Sequence, residues 1–229
     1  MRELKEQVYR ANMELHKNRL APLTWGNVSQ ADRARGIMAI KPSGVPYEEL
    51  KPEDMVIVSL ETGERVEGRL NPSSDTPTHL ALYRAFDKVG GITHTHSPYA
   101  TAWAQAGRAI PCLGTTHADG FFGEIPVTRY VSADEAQRAY EAETGTVIVE
   151  AFQGRDPLHT PGVLVRGHGP FTWGETASAS VHNAITLEEV ARMGLLTLLL
   201  NFNALDLPEA LQIKHFERKH GPNAYYGQR

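Results

Sequence analysis

The sequence predicts an α/β fold with a mixed, largely antiparallel central sheet. Three observations carry this. Short apolar, β-branched runs such as MVIVSL (55–60) interleave with segments of helical apolar spacing. Several candidate strands are joined by short turns, which antiparallel neighbours permit and parallel crossovers do not. No GxGxxG follows a strand and no GxxxxGKS or GxxxxGKT occurs, so dinucleotide and P-loop folds have no support.

The elements follow in order. Leu4, Val8, Ala11 and Leu15 predict a helix over 2–20, with charges between them. TWGNVS (24–29) is a polar loop, and Ile37–Ile40 is a short apolar segment ending in KPSG. Residues 55–60 form a strand that enters the turn ETGE. Ser74, Asp75 or Thr76 caps the next helix, which has Pro77 in its first turn and Gly90-Gly91 at its end. GITHTHS (91–97) is a strand and 99–107 an Ala-rich helix. IPCLGTTHADG and EIPVTRY are strand and loop. SADEAQRAYEAE is a helix capped by Ser132, and TVIVEAF is compatible with helix or strand. PGVLVRGHGPFTWG is a hairpin with His168 in its Gly-rich turn. Residues 176–200 are a long helix, and the tail is polar and aromatic. Repeats, low-complexity tracts and linkers are absent, which predicts one domain over 1–229.

Composition narrows the function. A formal net charge of −4 and a pI of about 6.2 argue against a nucleic-acid or anionic-membrane surface. Cys112 is the only cysteine, so an intrachain disulfide and Cys-based zinc motifs are excluded and a reducing compartment is expected. The charged first twenty residues have no signal-peptide core, and the apolar run at 195–200 is far below the roughly 20 residues of a membrane span. A cytoplasmic protein is the expectation.

The histidines carry the chemistry. His94 and His96 sit two apart in an apparent strand, on one face, where two rings can converge on one ion. His168 lies between two glycines that let the backbone turn sharply. An isolated HxH is as readily a pair of surface histidines. The third, Gly-flanked histidine favours a divalent metal, with Asp75 as a further ligand or a supporting carboxylate. A cupin would place Glu three or four residues after the second His, where this chain has Tyr99 and Ala100. TWGNVS, KPSG and NPSSD (71–75) offer hydroxyls and backbone N–H groups, with Lys41 adding a positive charge. Each alone is an ordinary turn. Only convergence near the metal would make them an anion site.

Taken together, TWGNVS, IKPSG, SSDTPTH, HTHS, GTTHAD, GVLVRGHGPFTWG and AYYGQ resemble the L-ribulose-5-phosphate 4-epimerases of the class II aldolase and adducin superfamily. The likeness spans essentially the whole chain. It implies a three-layer α/β/α subunit and a homotetramer with sites between subunits. It also implies a divalent metal (zinc, or manganese or cobalt) held by His94, His96 and His168 with Asp75. Gly26, Asn27, Ser43, Gly44, Ser73 and Ser74 match substrate and phosphate contacts. Asp119 and Tyr226 match the two acid/base residues, and Lys41, Glu141 and His215 match further active-site positions. The implied reaction inverts C4 of a phosphorylated ketopentose by breaking and re-forming C3–C4. An aldolase of the same superfamily acting on a ketose 1-phosphate and a non-enzymatic adducin-like domain are the alternatives. Two departures stand out. Gly120 replaces an aromatic residue after THAD, and Arg166-Gly167 precedes His168.

Overall fold

The computed structural model describes residues 1–227. Seven strands form one sheet in the order β4-β3-β2-β1-β5-β7-β6: β1 Asn27–Asp32, β2 Ile37–Ile40, β3 Val56–Ser59, β4 Arg65–Glu67, β5 Gly91–His94, β6 Gly162–Val165 and β7 Gly169–Gly174. Among the described residues every strand pair is antiparallel, and the one parallel contact is an isolated bridge between Val127 and Leu164.

Alternation sorts the strand side chains into two cores. Met38, Ile40, Val56, Val58, Ile92, Val163, Val165, Phe171 and Trp173 face α2 (Thr76–Ala85) and α5 (Ala133–Ala151). Val28, Ile37, Ala39 and Ile57 face α1 (Arg2–Lys17) and α6 (Ala177–Leu200). A third cluster packs α3 (Pro98–Ala106) and α6 around Phe121 and Leu164. The α/β/α layering follows from this two-sided burial. No helix among the described residues is long and apolar enough to cross a membrane.

Several elements differ from the sequence reading. The first helix stops at Lys17, because Arg19 adopts a positive φ of 60° that no helix continues. The helix expected to run to Gly90-Gly91 stops at Ala85, with Phe86 turned into the core. THAD lies on a short helix, α4 (Thr115–Gly120), and EIPVTRY makes only isolated bridges. TVIVEA is helical. Val147 and Ile148 are buried there, and packing against α2 outweighs the β preference of its branched residues. A seventh helix, α7 (Glu209–His220), occupies the tail and packs on α4.

Candidate active site

Strand register brings the first pieces together. β1 pairs with β5 so that Asn27 lies opposite His94, and β5 pairs with β7 so that His94 lies opposite Phe171. Phe171 stacks on the His94 ring at 4.1 Å between centroids. Gly26, just before β1, has φ 76°, and a Cβ there would meet the His94 carbonyl at 2.9 Å, so only glycine lets this loop close over the strand end.

β5 ends at His94, so His96 is not on the strand and the expected two-residue alternation is not what aims it. Beyond the strand, Thr95 Oγ1 donates to Ser97 Oγ at 3.1 Å and accepts from the Ser97 amide at 3.3 Å. This tight bend returns His96 towards its neighbour, leaving the two Nε2 atoms 3.1 Å apart. His168 enters from the β6–β7 turn, where Gly167 takes φ 75°. The three rings lie 4.7–4.9 Å apart pairwise, with their ligand atoms within 4.8 Å of one another.

The donor set fits a divalent cation. His94 Nδ1 donates to the Pro170 carbonyl at 3.0 Å, which fixes the tautomer that turns the Nε2 lone pair inward. Burial, reinforced by His94 and His96, pushes His168 down to about 3, and burial likewise lowers His96. Neutral imidazoles are the ligating form. Burial alone would raise the Asp75 carboxyl. Beside it, His94, His79 and the Asn27 amide outweigh that and hold it below the usual carboxylate range. Asp75 Oδ2 accepts from Asn27 Nδ2 at 2.7 Å, and the same amide reaches Ser73 Oγ at 3.1 Å.

The polar loops do converge. An antiparallel bridge joins Pro42 to Pro72, the Ser43 amide donates to Asn71 O, and the Ser73 amide donates to Lys41 O, tying KPSG to NPSSD. Lys41 is only 1% exposed. Its ammonium donates to Val45 O at 2.9 Å and sits 4.7 Å from the Tyr47 ring centre. No carboxylate among the described residues pairs with it, and burial lowers its pKa to about 8. A buried cation without a counter-charge favours an incoming anion. Gly26, Asn27, Lys41, Ser43, Gly44, Ser73, Ser74, Asp75, Glu141 and the three histidines all line one cavity of about 630 Å³.

The same cavity includes two aromatic residues without an assigned role. Trp25 is a half-exposed wall. Tyr140 arrives because α5 is kinked at Ala139, which turns Tyr140 and Glu141 inward and brings the Tyr140 hydroxyl 3.4 Å from His168 Nδ1. A plain helical reading hides that kink. Trp173, in contrast, is core.

Asp119, Tyr226 and His215 lie elsewhere. Asp119 ends among basic side chains: Arg218 donates through Nε at 2.9 Å and Nη2 at 2.5 Å, His215 Nδ1 lies at 3.0 Å and Lys219 Nζ at 3.5 Å. Partial burial would raise its pKa, but Arg218 and His215 hold it lower. Tyr226 spreads under Arg218 and Lys219, at 5.1 and 4.4 Å, and is 62% exposed. None of the three lines the histidine cavity. Gly120 is the last residue of α4, where a Cβ would meet the Thr186 methyl at 3.1 Å, and Arg166 stacks on Tyr130 at 4.5 Å.

Comparison with known proteins identifies the family. Residues 6–195 match the model of the Class II Aldolase and Adducin N-terminal domain. The chain belongs to this family. Two curated relatives are 57% identical over 229 residues, covering all of both chains: the L-ribulose-5-phosphate 4-epimerases UlaF of Salmonella paratyphi A and Salmonella typhi. Among solved class II aldolase folds, an L-fuculose 1-phosphate aldolase superposes with a TM-score of 0.79 at 25% identity, covering 94% of this chain and 95% of that one.

Proposed function

We propose that the chain is an L-ribulose-5-phosphate 4-epimerase, interconverting L-ribulose 5-phosphate and D-xylulose 5-phosphate. One observation carries the reading: three converging imidazoles share a cavity with the anion-receptive wall of Lys41, Ser43, Gly44, Ser73 and Ser74. The full-length identity to the UlaF epimerases supports the choice of substrate.

His94, His96 and His168 would hold a divalent ion with Asp75 at its side. Three imidazoles suit zinc, and manganese or cobalt fit the same set. When bound, such an ion supplies Lewis-acid stabilisation of negative charge on the sugar's C2 and C3 oxygens.

The chain's own groups do the rest. The proton on C4 is not next to a carbonyl and is not acidic, so inversion by simple deprotonation is excluded. A base instead takes the C4 hydroxyl proton and C3–C4 breaks. Its electrons pass to C2–C3, giving an enediolate and glycolaldehyde phosphate. The Lys41 wall keeps hold of the phosphate while the aldehyde turns. C3 then attacks the opposite face, and an acid returns a proton to the C4 oxygen. Two groups on opposite faces are required. Asp119, held ionised, suits proton acceptance, and the Tyr226 hydroxyl suits donation. Both stand outside this subunit's cavity, so the reading includes a homotetramer in which each site borrows them from a neighbour. Glu141 on the cavity wall and His215 on Asp119 are supporting groups. A cytoplasmic location accompanies the single, buried Cys112.

The test is a coupled assay on L-ribulose 5-phosphate that detects D-xylulose 5-phosphate, with and without a chelator. Chelator-sensitive turnover without free glycolaldehyde phosphate is expected. The likeness to L-fuculose 1-phosphate aldolase supports a second reading, cleavage of a ketose 1-phosphate, which release of a free aldehyde from such a substrate would support.

A further inference from the structure

α3 begins two residues after His96, and its first turn is capped in an unusual way. Ser97 stands at the N-cap position, yet its side chain makes no capping bond, because its hydroxyl is engaged by Thr95. The donors of the first turn can all be accounted for. Pro98 has no N–H, and the Thr101 amide donates to Ser97 O at 2.9 Å. The remaining two, on Tyr99 and Ala100, donate to Glu188 Oε1 and Oε2, each at 2.9 Å.

Glu188 comes from the middle of α6, 88 or more residues away in sequence, and is 8% exposed. A carboxylate at this depth is costly unless its oxygens are satisfied. Two charge-assisted bonds and the positive end of the α3 dipole satisfy it. The other end of α3 is tied too. The Gly167 amide, next to His168, donates to Ala104 O at 3.0 Å, and Trp103 Nε1 donates to Ala191 O on α6 at 2.9 Å. α3 is therefore a strut whose start follows His96 by two residues and whose end holds the residue before His168.

We infer that Glu188 is a positioning residue for the metal site, fixing the strut that sets His96 and His168 relative to His94. It touches neither substrate nor ligand ring and acts through the α3 backbone. This inference rests on the reading of the three histidines as a metal centre.

The experiment measures zinc affinity by competition with a chromophoric chelator, alongside thermal unfolding of the zinc-free protein. Wild type, Glu188→Gln, Glu188→Asp and Val8→Ala are compared. Val8→Ala removes buried methyls from α1, remote from α3, and reports what lost stability alone does. Glu188→Gln keeps one acceptor and sets an amide donor against a backbone N–H. The expected result is a roughly 10–100-fold weaker zinc affinity, the usual cost of losing an outer-sphere partner. Glu188→Asp keeps the charge with a shorter reach and should also weaken zinc. Should Glu188→Gln fail to fold, Glu188→Asp alone decides. Val8→Ala should melt earlier yet bind zinc as wild type does. Wild-type affinity in whichever Glu188 variants fold, or an equal loss in Val8→Ala, overturns the inference. Failure of wild type itself to bind zinc overturns the metal reading instead.

Discussion

The histidine cavity and the Asp119 cluster are built on opposite plans. In the cavity, backbone carbonyls, strand register and tight loops hold three imidazoles, one buried and two half-buried, that point at one place. Around Asp119, charged side chains from one helix gather on a more open carboxylate, with Tyr226 spread over two of the cations. The first can work within one chain. The second presents reactive groups outward, and under the epimerase reading it serves another subunit. On that reading, groups that must stay desolvated are fixed by backbone, and groups offered to a partner sit on α4 and the tail, braced by α7.

Four experiments break or sharpen that contrast. The largest effect belongs to the cavity. His168→Ala should weaken metal binding by more than about 100-fold, exceeding the loss of an outer-sphere partner, and chelation should abolish turnover. Metal titration with activity checks both. Next come Asp119→Asn and Tyr226→Phe, each expected to lower kcat by roughly 10²–10⁴-fold while leaving metal content intact. Mixing Asp119→Asn subunits with His168→Ala subunits should then restore part of the activity. No recovery after verified subunit exchange would place both regions' work in one chain.

Lys41→Met should reduce kcat/KM by about 10–100-fold, from a charge-assisted hydrogen bond of roughly 1.5–3 kcal/mol, with little effect on metal affinity. The smallest effect concerns stability. Burial lowers His79 to about 3 and His117, despite its bond to Gly123 O, to about 4, both from an ordinary 6.5. Between those values and 6.5 the unfolded chain binds more protons than the folded one, so stability rises with pH across that window and is flat above it. Thermal melts of metal-free His79→Gln and His117→Gln variants should show a shallower fall below pH 6.5 than wild type.

Much of the cavity was legible because its residues announce themselves locally. HTH, Gly-His-Gly and three turn-rich loops each suggest a role, and only their meeting required the fold. Even there the reason differed from the reading, since a hydroxyl-stapled bend rather than strand alternation directs His96. Tyr140 was hidden because the kink at Ala139 leaves no compositional mark. α7 was hidden because only Phe216 along it is buried, so its apolar period is too weak to stand out among charges. The position of Asp119 depends on that helix, and a reading blind to α7 could name the residue without placing it.

The margins of the sheet have a consequence for how the protein behaves when crowded. At one edge, β4 is three residues long and fully exposed, with Arg65 donating to Leu70 O and Glu67 paired with Lys5 at 2.7 Å. At the other, segment 126–128 occupies β6: Leu164 donates to Pro126 O and accepts from Thr128. A short charged rim and a covered rim both refuse a docking strand. Both rims therefore disfavour the ribbon-like stacking that leads to fibrils, and they favour meetings through helices and loops when molecules are brought together at high concentration.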